Sequence, residues 1–206
     1  MLVDKPAGPS SFAIVRDLRE RTGARAGHAG TLDPFATGLL LVLLGRSTKL
    51  ANRFLGLDKR YVTDVDLAAR TTTGDPEGEI VEELEAPDTE ELERRLAALR
   101  GEVQLPVPAA SAVKIGGERA YRLHRRGLAV EMPVRRSTVH ELELVSYDGR
   151  IATLDLLVSS GTYVRSIAEA LGGHCATLRR TEVGPFRVED ADPARVIPPE
   201  EALAAL

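Results

Sequence analysis

Twelve residues near the start of the chain constrain its fold more than any other segment: Gly27-His28-Ala29-Gly30-Thr31-Leu32-Asp33-Pro34-Phe35-Ala36-Thr37-Gly38. Three glycines open backbone angles that other residues avoid, and Pro34 fixes its own φ. A proline also pushes the residue before it out of the helical region, so Asp33 is held extended with its carboxylate outside any helix. Residues 24–38 therefore read as an ordered loop. Two readings of Asp33 stay open on local grounds. It caps a helix opening near Pro34, or it presents a carboxylate for chemistry.

The neighbours of Asp33 limit that chemistry. An aspartyl phosphotransferase needs magnesium and hence a second carboxylate close by, but the position two after Asp33 is Phe35. Glycoside hydrolysis normally takes a pair of carboxylates, and this loop has one. A lone aspartate suits a reaction that needs a nucleophile and no hydrolytic water. His28 has no His or Cys at ligand spacing, so it reads as a loop hydrogen-bonder or a wedge against nucleic acid rather than a metal ligand. The single cysteine, Cys175, cannot form an internal disulfide and reads as structural.

Three further clusters carry two readings each. Lys59-Arg60-Tyr61 opens an alternating segment. Its aromatic and cations can stack a base and hold phosphate, or Tyr61 is a half-buried strand aromatic. Gly161-Thr162-Tyr163-Val164-Arg165 feeds a helix start. Arg165 can hold a carboxylate or phosphate and Tyr163 can line a pocket, or the segment is a plain cap with a surface ion pair. Thr71-Thr72-Thr73-Gly74-Asp75-Pro76-Glu77-Gly78 is turn-rich. Asp75 pairs with a basic group there or serves an ordinary turn.

Around these clusters the periodicity predicts a helix from Ser10 or Ser11 to Thr22, closed by Gly23. Leu39–Leu44 is an apolar run whose length does not separate a strand from a short helix. Ser47 is expected to cap a helix through Leu55. Tyr61–Leu67 alternates as a strand, and Asp88 with Glu91 forms a capping box before Leu92, Leu96 and Leu99. Pro106 and Pro108 break the chain before a basic excursion, 109–136, with a helical signal at Tyr121–Arg126. Ser137–Ser146 and Arg150–Ser159 read as strands joined at Asp148-Gly149, Thr162–Leu171 as a helix, and residues from Ala191 onward as an acidic surface tail. Strands and helices mix without a βαβ rhythm. The fold class is α+β, with a mixed, largely antiparallel central sheet flanked by helices and loops.

Composition supports a packed domain: 206 residues, 43% hydrophobic and 28% charged, with no tryptophan. No apolar run is long enough to span a bilayer and no signal peptide opens the sequence, which points to the cytoplasm. The net charge of −4 argues against nucleic acid until it is mapped. Residues 1–70 hold 11 Lys+Arg against 7 Asp+Glu, residues 71–105 hold 3 against 11, and residues 106–136 hold 7 against 2. Two basic segments flank an acidic one. Because salt screens charges beyond about 8–10 Å, a local basic face can attract phosphate on an acidic chain. Ordinary solvated helix charge is the competing reading.

Taken in order, the clusters resemble the TruB family of tRNA pseudouridine-55 synthases and its dyskerin-type relatives. Lys5-Pro6 with Ser10-Ser11 matches the family's opening segment, and Gly27–Gly38 matches its Gly-His-x-Gly-x-Leu-Asp-Pro-x-Ala-x-Gly motif without exception. Lys59 and Tyr61, Thr71 to Gly78, Ser111-Ala112 with Lys114, Gly161 to Arg165, and Leu178 to Phe186 follow in family order. The resemblance implies an enzyme that isomerises uridine in the tRNA T-arm, with Asp33 as nucleophile. By the same resemblance Tyr61 is expected to stack on the target base and is the proposed proton-abstracting group, Arg165 to pair with Asp33, and Asp75 to join that network. Tyr163 and Leu178 wall the pocket, His28 fills the space left by the flipped base, and Lys5 and Lys114 are basic residues near the site. No cofactor and no metal are implied, because no electrons are exchanged and no water is added. The implied catalytic domain covers 1–190, with 109–136 as an RNA-clamping insertion and 191–206 as a tail. This sequence leaves no room for the family's C-terminal PUA domain, and weaker RNA binding than in two-domain relatives is expected. Three departures stand out: Ala110 replaces an aromatic before Ser-Ala, Ser166–Thr177 is short, and the sequence ends at Leu206. A monomer is expected. A non-catalytic tRNA-binding or tRNA-folding module of the same fold is the alternative.

Overall fold

The computed structural model describes residues 1–128 and 130–206. In chain order the elements are β1 (Leu2–Lys5), α1 (Ser11–Thr22), β2 (Ala26–His28), β3 (Thr37–Leu44), a 3₁₀ turn (Gly45–Leu50), α2 (Ala51–Leu55), β4 (Lys59–Asp66), β5 (Ala69–Thr71) and β6 (Ile80–Glu83). Then come α3 (Thr89–Ala98), β7 (Gly101–Pro106), β8 (Lys114–Ile115), β9 (Glu118–Arg119), α4 (Ala120–Arg125), β10 (Val134–Tyr147), β11 (Ile151–Val158), α5 (Val164–Leu171), β12 (His174–Val183), β13 (Phe186–Arg187), a second 3₁₀ turn (Val188–Asp190) and α6 (Pro199–Ala204). The main sheet orders its strands β1-β3-β12-β4-β11-β10-β7, with β2 on β3 and β13 on β12. β3 runs parallel to β12, and β1–β3 and β10–β7 are antiparallel, which is the mixed α+β sheet expected.

The chain divides into two compact units, the first comprising residues 1–63, 155–160 and 177–206. At its centre, β3 settles the ambiguity of the apolar run. Leu39 and Leu41 pack with Leu2, Ala29, Phe54, Val183 and Phe186. Leu40 and Val42 pack with Val3, Val15, Leu18 and Ala26 on the other face. A strand buried on both faces needs an unbroken apolar sequence, which is why no alternation showed. The adjacent serines before α1 take different tasks. Ser10 accepts from the Ala13 N–H as N-cap. Ser11 is buried, and its Oγ donates to the Leu32 carbonyl at 2.9 Å and accepts from the Leu32 N–H at 2.8 Å.

Two expectations for this unit need correction. Ser47 does not cap a helix: it lies inside the 3₁₀ turn, which has no side-chain cap, and α2 starts only at Ala51. The segment after Ala191 is not simply a surface tail. Ile197, Ala202 and Leu203 pack against the Leu39 cluster, so its few apolar residues outweigh its acidic composition.

The second unit comprises residues 64–154 and 161–176. Asp88 caps α3 by accepting from the Glu91 N–H at 2.8 Å, and the helix buries Leu92 and Leu96. α5 begins at Val164 rather than Thr162, with Tyr163 in an extended conformation as N-cap. It ends at Gly172, φ 101°, and Gly173 leads at once into β12. A side chain at Gly173 would strike the Asp66 carbonyl, so glycine is required where α5 hands over to β12. The basic excursion forms the β8–β9 hairpin and α4; Ala129, which falls inside the expected 109–136 insertion, lies outside the described residues.

Gly38 sits where β3 meets both β1 and β12, opposite Lys5 and Arg180. Its φ is 101°, and an added Cβ would collide with the main chain of Arg180. Gly38→Ala is therefore expected to destabilise the protein by roughly 2–4 kcal/mol, combining backbone strain with a steric clash. Urea denaturation measures this; a loss below about 1 kcal/mol would mean that the strand junction yields easily.

Candidate active site

Asp33 stands in the loop between β2 and β3, and the first unit holds that loop from both ends. On one side Lys5, wholly buried, donates from Nζ to the carbonyls of Pro6 at 2.8 Å, Pro9 at 2.9 Å and Pro34 at 3.1 Å. The Gly8 N–H also donates to the Pro34 carbonyl, at 2.9 Å. On the other side the buried Arg180 donates Nε to Leu39 O at 2.8 Å, NH2 to Gly30 O at 3.1 Å and NH1 to Thr31 O at 3.4 Å. Ser11 fixes both polar groups of Leu32. The main chain is thus tied at positions 30, 31, 32 and 34, on either side of a half-buried Asp33. Asp33 does not cap a helix; its carbonyl accepts from the Ala36 N–H at 3.2 Å in a tight turn.

The other expected residues of this unit are His28, Tyr61 and Leu178. His28 ends β2 opposite Val42 and is partly buried. Burial pushes its pKa below 6.5, the Arg180 charge adds to the drop, and the Gly30 backbone opposes it, so the ring is neutral at pH 7. Tyr61 and Leu178 are buried on β4 and β12. Lys5, expected as a basic residue near the site, stands beside Asp33 through its bond to the Pro34 carbonyl and also anchors the Pro6 and Pro9 carbonyls.

Lys59 is also buried, and donates from Nζ to Leu55 O at 2.7 Å, to Leu57 O, and to Ser160 Oγ at 3.2 Å. Burial lowers its pKa from 10.5 to about 8; Arg180 contributes in the same direction and Asp58 against it. Lys59 was expected to hold phosphate, but its Nζ bonds lie inside the fold; Arg180, within the matched Leu178–Phe186 segment, was given no role. The missed signal was the Arg179-Arg180 pair itself. Neighbours on a strand face opposite ways, so one of two adjacent arginines must point inward. Arg179 takes the outer position and pairs with Asp4 at 2.8 Å.

The second unit holds Arg165, Asp75, Tyr163 and Lys114. Arg165 and Asp75 form a buried ion pair at 3.2 Å, with side-chain exposures of 2% and 5%. Arg165 also donates to Thr73 O at 2.8 Å and Ala110 O at 3.0 Å. The bond to Ala110 uses its main-chain carbonyl, so this hold on Arg165 does not depend on the side chain at position 110. Asp75 accepts through Oδ1 from Thr73 Oγ1 at 2.5 Å and the Glu77 N–H at 3.1 Å, while Thr71 Oγ1 donates to the Asp75 carbonyl at 2.8 Å. Each threonine of the Thr-x-Thr-x-Asp pattern thus holds the acid that faces Arg165. Glu169, one helical turn beyond Arg165, lies against Gly74 and has its pKa raised by burial. Tyr163 is partly buried and Lys114 is exposed in the β8–β9 hairpin. Among the described residues no cluster of His, Cys, Asp or Glu forms a metal site.

Residues 18–164 match the family described as TruB family pseudouridylate synthase, N-terminal domain. The chain belongs to the TruB family of pseudouridylate synthases. It is 41% identical over 218 aligned residues to a protein named tRNA pseudouridine synthase B from Mycobacterium sp. (strain KMS), covering 99% of this chain and 73% of that one. To the protein of the same name from Leifsonia xyli subsp. xyli (strain CTCB07) it is 43% identical, covering 98% and 72%. Among solved structures, a chain of a Cbf5-Nop10-Gar1 complex superposes with a TM-score of 0.68 at 28% identity over 90% of this chain. This chain spans 49% of that one, about half its length. The TruB family assignment makes the chain an RNA pseudouridine synthase, and its fold is shared with that chain of the Cbf5-Nop10-Gar1 complex.

The Lys59 pKa gives the protein a pH dependence with a fixed sign. A folded-state value near 8 against 10.5 means that the unfolded chain binds more protons between those limits. The lysine's contribution to stability is therefore lowest below about pH 8 and rises toward pH 10.5. Denaturation of the wild type and Lys59→Met should show their stability difference moving in favour of the wild type, by on the order of 1–3 kcal/mol across that window. A flat difference would mean that Lys59 keeps an ordinary pKa.

Proposed function

We propose that this chain isomerises the uridine at position 55 of the tRNA T-arm to pseudouridine, with Asp33 attacking a nucleotide flipped out of the RNA. The construction of the Asp33 loop supports this most directly. Buried cations and a buried serine tie its main chain on both sides of the carboxylate, which is the preorganisation a nucleophile needs. A loop that only turned the chain would gain nothing from two buried charges, each expensive to desolvate.

In this reading the flipped uracil stacks on Tyr61, which returns about 1–3 kcal/mol of the extrusion cost. Arg165, held by Asp75, pairs with Asp33 and keeps it ionised, since a cation within about 4–6 Å lowers a carboxylate's pKa. Tyr163 and Leu178 wall the base pocket. His28, neutral and partly apolar, occupies the gap left in the RNA. Asp33 bonds transiently to the nucleotide, the N1–C1′ bond breaks, the uracil turns, a C5–C1′ bond forms, and the Asp33 bond breaks to return the free carboxylate. N1 gains a proton and C5 loses one, with Tyr61 as the abstracting group. Capture of the T-arm falls to the 109–136 insertion and Lys114, where 7 Lys+Arg stand against 2 Asp+Glu over residues 106–136. Within it Arg122 and Arg125 flank the Tyr121 ring at 5.9 and 5.7 Å from its centroid, leaving cations and an aromatic on one exposed helix.

Site-resolved pseudouridine mapping on an unmodified tRNA transcript tests the reading. The wild type should form pseudouridine at position 55, and Asp33→Asn should lose at least about a thousandfold in rate while still binding the RNA. A wild type that binds tRNA without forming pseudouridine would favour a tRNA-folding module. An active Asp33→Asn would remove Asp33 as nucleophile.

A further inference from the structure

We infer that Arg180 is a positioning residue of the reaction: its buried guanidinium clamps the two ends of the Asp33 loop and fixes where the carboxylate stands. The inference rests on Asp33 being the nucleophile, as proposed above.

The geometry carries it. Arg180 is 1% exposed, yet its acceptors are the carbonyls of Gly30 and Thr31 at the start of the loop and Leu39 at its end. All three nitrogens of one rigid, planar fork are used, so the separation of the two ends is set by a single group. The strand that carries Arg180 is itself in register with the loop's exit, Arg180 lying opposite Gly38 in the parallel β3–β12 pair. Gly30, at φ 97°, brings its main chain close enough that a Cβ there would lie 3.6 Å from the Arg180 NH1.

Charge is the second argument. Among the described residues, no carboxylate lies within ion-pair distance of Arg180; every hydrogen bond it makes goes to a carbonyl. A buried guanidinium without a counter-ion costs several kcal/mol, and a neutral donor would serve ordinary packing at less cost. The charge therefore acts on its surroundings. Its reach is visible in His28 and Lys59, whose pKa values it helps to lower. A fixed positive charge under the loop favours an anion on it, which is the state in which Asp33 attacks.

Lysine keeps the charge of Arg180 but loses the fork, and glutamine keeps a planar donor but loses the charge. Both variants should be assayed in the full chain by single-turnover pseudouridine formation over a range of tRNA concentrations. Arg180→Lys is expected to lower the rate at saturating tRNA by about 10–100-fold, and Arg180→Gln by more, because a shift near 1 Å can cost about a hundredfold. Half-saturation should stay within about threefold of wild type, since Arg180 is buried away from RNA. Saturating rates within about threefold of wild type in both folded variants would overturn the inference, as would a weakened half-saturation with an unchanged rate. If neither variant folds even at low temperature, the side chain serves folding alone and the inference also fails. An active Asp33→Asn would sink the nucleophile itself; an inactive one beside a fully active Arg180→Lys would sink only the role of Arg180.

Discussion

A positive charge buried on main-chain carbonyls is the interaction on which the candidate site depends. Lys5 and Arg180 each take a cation out of water and set it against three carbonyl oxygens of the segments around Asp33. Carbonyls carry only partial charge, so these oxygens alone offset a buried cation less than a carboxylate would. The fold accepts this cost because irregular backbone cannot satisfy itself. Between Gly30 and Thr37 the chain makes no ladder, and its buried carbonyls need donors from elsewhere. Lysine and arginine have the reach and the number of N–H groups to serve several carbonyls from one point. The same solution fixes the loop and leaves it electropositive, so structure and electrostatics come from one choice of residue.

The second unit solves the opposite problem. Arg165 there meets Asp75, and the pair is held by Thr73 and by two carbonyls, one of them from Ala110. Here the counter-ion is present and the hydrogen-bond partners around it are explicit. A buried pair arranged this way is worth little to stability against an apolar substitute, but it fixes the orientation of each member. Orientation is what an arginine needs if its task is to meet a second carboxylate. The threonines at 71 and 73 therefore belong to the site as much as the charged residues do.

Much of this was legible in the sequence where local rules act alone. The Ser10 cap, the Asp88–Glu91 cap of α3, the Asp148-Gly149 turn and the alternation of β4 each follow from a few neighbouring residues, and each was met. The loop around Asp33 was legible as a loop for the same reason, through its glycines and Pro34. What failed was whatever depended on a distant partner. Ser47 looked like a cap, but the chain turns at Gly45 in a 3₁₀ geometry that leaves no use for one. The acidic stretch after Ala191 hid the three apolar residues that dock on the Leu39 cluster. Arg180 received no role, since only the parallel β3–β12 pairing brings the loop's carbonyls in front of it. Ser11 was legible only as an alternative cap and as part of the opening segment, because its two bonds to Leu32 reach a loop that is distant in sequence.

Rigidity and exposure are distributed unevenly over the chain, and the distribution matches the two tasks the proposed reaction sets. Isomerisation within one nucleotide needs a carboxylate whose position varies little, because bond breaking, rotation and re-attack all happen against the same oxygen. The segment bearing Asp33 has that property, with its main chain tied at four positions by buried side chains. Capturing a folded RNA needs long cations at the surface, and Arg119, Arg122, Arg125 and Arg126 stand on or beside a six-residue helix. Were the exposed cations to carry the chemistry, the buried ones would have no reason to bear a charge. Were the buried ones to carry the binding, they would have to leave the carbonyls that define the loop. The division follows from the cost of desolvating a cation: only a group that orders something else repays being buried, and what Lys5 and Arg180 order is the path of the chain through Asp33.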